Sequence, residues 1–145
     1  VRDVTLALIT FYKQDTDCED LRALLGDESN GYRIYGEELP IDAPKDMPKK
    51  SLVVRRAPGV PPYRHLQLDR GGIQVGCFAE TLFEAARLAR EVAEVTKYMS
   101  RKVYDGTLLH SLDPIGQSEP LLDPETKWPY VVLSYEFLAS ETQVA

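Results

Sequence analysis

Along residues 130–138 apolar and polar positions alternate: Val131, Leu133, Tyr135 and Phe137 fall on one side, and Tyr130, Val132, Ser134, Glu136 and Leu138 on the other. A period of two predicts a half-buried strand, with a frayed tail after Ala139. Ile73, Val75 and Cys77 alternate in the same way with Gln74, Gly76 and Phe78, so a strand is expected from about residue 66 or 72 to residue 79. Shorter aromatic and β-branched runs predict strands at 32–35, stopping at Gly36, at 51–56, and around 108–112. Pro114 and Gly116 then break the pattern, and 120–123 leads into a turn at Asp123-Pro124.

Helical spacing is clearest after Thr81, where Glu84 completes a capping-box pattern and the chain to about Met99 is rich in Ala, Leu, Glu and Arg. Leu82, Ala85, Ala86, Ala89, Val92, Ala93 and Thr96 trace the expected apolar stripe, with Arg87, Arg90, Glu91 and Glu94 toward water. At the start of the chain Asp3 caps an expected helix over 4–14, although Val4, Leu6 and Leu8 also alternate as a strand would. Asp17 is the expected cap of a short helix ending at Leu25, with Gly26 as its C-terminal stop. Helices, strands, a long helix and more strands imply an α+β domain: an antiparallel or mixed sheet packed against a long central helix, with N-terminal helices and long projecting loops. The loops are 37–50, punctuated by Pro40, Pro44 and Pro48, and 57–69, which opens on Pro58, Pro61 and Pro62. Loops of this length are expected to be assembly arms of one domain spanning 1–145.

Size and charge narrow the function. A chain of 145 residues with 43% hydrophobic and 28% charged positions is one folded domain, neither a disordered tail nor two cores. Its net charge of -6, with dispersed Lys and Arg, disfavours general capture of nucleic acid. Cys18 and Cys77 lie far apart without a His or second Cys nearby, so no zinc motif or disulfide framework is visible and a reducing compartment is expected. No apolar run approaches a membrane span, and the first residues lack the basic start of a secretory signal.

Candidate chemistry is sparse. His65 and His110 stand in no metal or catalytic pattern, and Ser51, Ser111 and Ser134 lack a nucleophile-elbow context. Gly71-Gly72 matches no phosphate-binding loop and reads as a turn or bulge. Arg55 and Arg56, with Arg64 and Arg70, read as interface anchors more readily than as a phosphate patch in so acidic a chain. In the string Asp123-Pro124-Glu125-Thr126-Lys127-Trp128-Pro129 the first two residues start a tight turn, and Trp128 supplies a large surface for packing or for a partner. An enzyme is therefore not expected, and no cofactor or metal is implied.

Several strings, in order, carry a resemblance: Asp3-Val4-Thr5-Leu6-Ala7-Leu8-Ile9; Tyr32-Arg33-Ile34-Tyr35-Gly36-Glu37-Glu38-Leu39-Pro40; and Met47-Pro48-Lys49-Lys50-Ser51-Leu52-Val53-Val54. Further along come Ile73-Gln74-Val75-Gly76-Cys77-Phe78-Ala79, Glu84-Ala85-Ala86-Arg87-Leu88-Ala89, and residues 121–129 leading into Tyr130-Val131-Val132-Leu133. The chain resembles the tail-completion or tail-terminator family of long-tailed bacteriophages, minor tail proteins of the head–tail junction. That resemblance implies a structural subunit that forms a homo-hexameric ring on the head-proximal end of the tail tube, ends tube polymerisation and joins the tail to the connector. Its partners would be tail-tube protein and connector, adaptor or stopper proteins, in a virion assembled in the host cytoplasm, without membrane. DNA would pass through the lumen without specific binding, helped by the acidic balance. Expected interface residues are Leu39, Pro40, Met47, Arg55, Arg56, Tyr63, Arg64, Asp123 and Trp128. A neck adaptor subunit is the alternative within such a particle; a small enzymatic or ligand-binding domain, which would need a pocket, is the alternative outside it.

Overall fold

A computed structural model describes residues 4–26, 32–36, 50–57, 69–104, 106–124 and 127–141. Helix α1 (Val4–Gln14) buries Val4, Ala7, Leu8, Phe11 and Tyr12, a spacing that decides for helix over strand. Asp3, its expected cap, lies outside the described residues. A 3-10 turn (Thr16–Cys18) separates α1 from α2 (Glu19–Leu25), and it moves the cap upstream: Asp15, not Asp17, accepts a hydrogen bond, from the Asp17 amide. Arg22 Nη1 donates to the carbonyls of Tyr12 (3.1 Å) and Asp15 (2.7 Å), groups at the end of α1 that have no partner inside the helix.

The strands are β1 (Ile34–Gly36), β2 (Ser51–Ala57), β3 (Asp69–Phe78), β4 (Val103–Tyr104), β5 (Thr107–Gln117), β6 (Leu121–Leu122) and β7 (Pro129–Glu141). They form a mixed sheet in the order β1-β2-β3-β7-β5-β4, with β6 also beside β7. Only the pairing of β1 with β2 is parallel among the described residues. Between β3 and β4 runs α3 (Leu82–Thr96). The three helices cover one sheet face together, so a lone central helix does not describe the layer.

Several sequence expectations are corrected here. Tyr32 and Arg33 adopt left-handed backbone (φ 57° and 50°), so β1 starts two residues late. Gly71 and Gly72 are neither turn nor bulge but paired positions inside β3. A Cβ on Gly71 would sit 3.1 Å from Phe137 Cζ, so the bare backbone makes room for that ring. Strand β5 runs on through Pro114 and Gly116, with irregularities at Leu109/Ser111 and Pro114/Gly116. The missing N–H of Pro114 is tolerated because, among the described residues, no strand lies outside β5 there. Strand β7 continues to Glu141 instead of fraying after Ala139, because β5 supplies a partner to that point.

In α3 the Thr81 hydroxyl accepts from the Glu84 amide at 3.1 Å, while the Glu84 carboxylate turns to Lys50 at 3.3 Å. The helix stops at Thr96, short of Met99. Its buried stripe is Ala85, Leu88, Ala89, Val92, Val95 and Thr96, rotated from the expected one: Leu82 and Ala93 are exposed and Ala86 is half-buried. Ala85 and Ala89, one turn apart, let the helix axis come close to the sheet. Tyr12 and Thr96 share a buried 2.7 Å hydrogen bond that ties α1 to α3.

Candidate assembly surfaces

Strands β5 and β6 run consecutively beside β7, forming one long hairpin with Asp123, Lys127 and Trp128 at its tip. At the tip the Asp123 amide donates to the Trp128 carbonyl and the Lys127 amide to the Asp123 carbonyl, both at 2.9 Å, with Lys127 in left-handed backbone (φ 65°). Trp128 is 1% exposed and packs edge-on against Phe78, which in turn stacks on Tyr130 at 5.0 Å. With Val53 these rings form a second apolar cluster, separate from the helix-covered core. Of the two sequence readings of Trp128, packing within the chain is the one observed. Its ring anchors the hairpin tip to the sheet.

The outward side of this end is apolar as well. Leu121 and Leu122 on β6 and Leu82 and Phe83 at the start of α3 are exposed, Phe83 by 74%. They share one end of the sheet, because Leu122 pairs with Pro129 and the Ala79 amide donates to the Pro129 carbonyl. Ile115 is exposed further along β5. Sequence reading placed partner contacts on the turn that starts at Leu122 but missed Leu82, Phe83, Ile115 and Leu121; the available signal was an apolar side chain lying off the buried stripe or next to a Pro.

Arg55 and Arg56 are exposed at the end of β2. Arg55 reaches Gln74 at 3.3 Å and Arg56 lies over the Phe137 ring, 5.1 Å from its centre. Arg70 pairs with Glu136 at 2.7 Å instead of joining a patch with them. Leu39, Pro40, Met47, Tyr63 and Arg64, with the proposed arms apart from their ends, lie outside the described residues, as does His65. His110 is exposed on β5 and its Nε2 shares a 2.9 Å hydrogen bond with Ser140 Oγ.

The densest polar cluster fastens the helices rather than opening a site. Asp15 accepts from Lys102 Nζ (2.8 Å), the Tyr104 hydroxyl and the Asp17 amide, and Lys102 also reaches Asp17 at 2.8 Å. Burial alone would raise the Asp15 carboxyl, but these three donors override it and hold the pKa at about 2. Cys18 and Cys77 are buried free thiols; burial pushes Cys18 up to about 12 and Cys77 higher still, which makes both poor nucleophiles. Among the described residues no group of His, Cys, Asp and Glu could hold a metal ion, and no helix is long and apolar enough to cross a membrane.

No protein-family profile matches the chain, and no curated protein does. Among solved structures it is similar to a chain of one described as the virion of native gene transfer agent (GTA) particle. The likeness has a TM-score of 0.60 and covers 94% of this chain and 93% of that one, at 11% identity. At that identity, what the two share is the fold.

Proposed function

We propose that the protein is a structural subunit of a phage-like particle, placed at the head-proximal end of the tail tube. There a ring of copies, with six expected, ends tube growth and joins the tail to the head connector. The observation that carries the particle assignment is the likeness of fold, almost end to end, to a chain of a gene transfer agent virion. The finer placement rests on the ordered segments that resemble tail terminators, from the N-terminal helix string at 3–9 to residues 121–129 of the sequence. Its surface suits assembly: exposed apolar side chains gather at the hairpin end, while the hairpin itself is braced from behind by Trp128. The role is mechanical, with binding energy between subunits in place of chemical turnover.

Light scattering on the eluting protein, followed by negative-stain imaging alone and with tail-tube protein, tests this reading. Six-fold rings or caps on one end of the tubes are the expected result. A monomer that leaves the tubes uncapped overturns it. Binding to connector but not to tube ends would move the subunit to the neck adaptor.

A further inference from the structure

Three ladder rows cross the sheet from β2 to β5: Arg55–Gln74–Ser134–Gly116, Arg56–Ile73–Tyr135–Pro114 and Ala57–Gly72–Glu136–Asp113. Each row is four strands wide, about 14 Å at the usual strand spacing. Among the described residues both ends of these rows are uncovered, since β1 pairs only with Leu52, Val53 and Val54, and β4 only with Thr107 and Leu108. The two ends carry opposite charge. Arg55 and Arg56 mark the β2 end, whereas among the described residues the β5 end carries Asp113, with Glu119 just past the strand and no Lys or Arg between them. Asp113 and Glu119 are exposed and make no ion pair among the described residues. By register Arg55 and Asp113 also belong to the same, helix-free face: Arg55 is opposite Gln74, and Asp113 opposite Glu136.

We propose that the acidic outer edge of β5, at Asp113 and, just past the strand's end, Glu119, docks on the basic β2 end, at Arg55 and Arg56, of a second copy of this chain. The inference rests on the reading above that copies work together, and it names the surfaces they use. A contact between opposite edges is head-to-tail, and when each step carries a rotation it closes into a ring. Charge, not a continuous backbone ladder, carries the recognition. The two irregularities and Pro114 interrupt the β5 edge as a template for strand addition, a common guard against indiscriminate pairing. Exposed Ile115 lies between the charges and supplies apolar area to the same contact.

The test uses two variants of the full chain. Asp113→Lys with Glu119→Lys makes both edges basic, and Arg55→Glu with Arg56→Glu makes both acidic. Self-association of each, read by sedimentation velocity, is expected to be at least tenfold weaker than that of the unaltered chain. An equimolar mixture of the two is expected to associate again, because unlike edges then alternate. Raising the salt should weaken the association of the unaltered chain. Circular dichroism checks that each variant is folded, and Arg55→Glu alone replaces the double variant if loss of the Arg56–Phe137 contact lowers its melting point. Undiminished association of either variant, or a mixture that stays monomeric, overturns the inference while the capping reading stands. An unaltered chain that caps tubes yet stays monomeric at high concentration also overturns it. Edge-dependent association with tubes left uncapped supports the edge and sinks the capping role.

Discussion

The two faces of the sheet are built by the same strands and do different work. On the helix-covered side Ile73, Val75, Cys77, Val131, Leu133, Tyr135 and Phe137 are buried against α1, α2 and α3. One residue along in each strand, Gln74, Ser134 and Glu136 are only half-buried on the open side. There a small cluster of Val53, Phe78 and Trp128 closes the hairpin end, and hydrogen-bonded or ion-paired side chains occupy the middle. Because side chains alternate with a period of two, one strand can supply a dry core and a surface for partners at once. The covered face therefore carries the larger buried core, and the open face with its edges carries most of the polar and charged side chains of the strands.

Removing a large ring from the covered face is the strongest way to break this contrast. Phe137→Ala is expected to cost about 3–5 kcal/mol, seen as a lower midpoint in denaturant unfolding, since a buried ring leaves a cavity the helices cannot fill. Trp128→Ala should cost about 3 kcal/mol, with a local signature. Amide exchange is expected to lose protection in β6 and the start of β7 while the centre of β3 stays protected; uniform loss would show that the two clusters unfold as one.

Smaller effects sharpen the comparison. Asp15→Asn keeps an acceptor for the Asp17 amide but removes the charge that Lys102 meets, at an expected cost of about 2 kcal/mol in melting experiments near neutral pH. The Asp15 carboxyl lies below its ordinary 3.8 when folded, at about 2. Its contribution is complete above about pH 4 and is lost as pH falls toward and through 2, so acid unfolding of the Asn variant should be flatter across that window. On the open face the Arg70–Glu136 pair is about one-third exposed on both sides. A double-mutant cycle with Arg70→Met and Glu136→Gln should return less than about 1 kcal/mol.

Legibility follows the range of the forces involved. The helix over 4–14, the strand over 51–56 and the parity of β7 were readable because turn-to-turn spacing and alternation act within a few residues. The Thr81 cap was readable for the same reason. The Asp15 cap was not, because the 3-10 turn that selects it is held by Lys102 and Tyr104 from far along the chain. Pro114 looked like a strand breaker, and becomes acceptable once β5 has an open outer side. Gly71-Gly72 looked like a turn until Phe137 of β7 explained the missing side chain. Of the expected interface residues, Arg55 and Arg56 were found exposed and Trp128 buried, a difference no local pattern encodes.

By itself the sequence determined an α+β chain of ordinary composition, the main helices, the parity of its central strands and its acidic balance, all properties of neighbouring residues. Tertiary structure decided the parallel placement of β1, the helix layer over one face and the placing of Arg55 and Arg56 at one end, and Asp113 at the other, of neighbouring rows four strands wide. These depend on which distant segments pair, and pairing is settled by the burial and hydrogen bonding of the whole sheet at once.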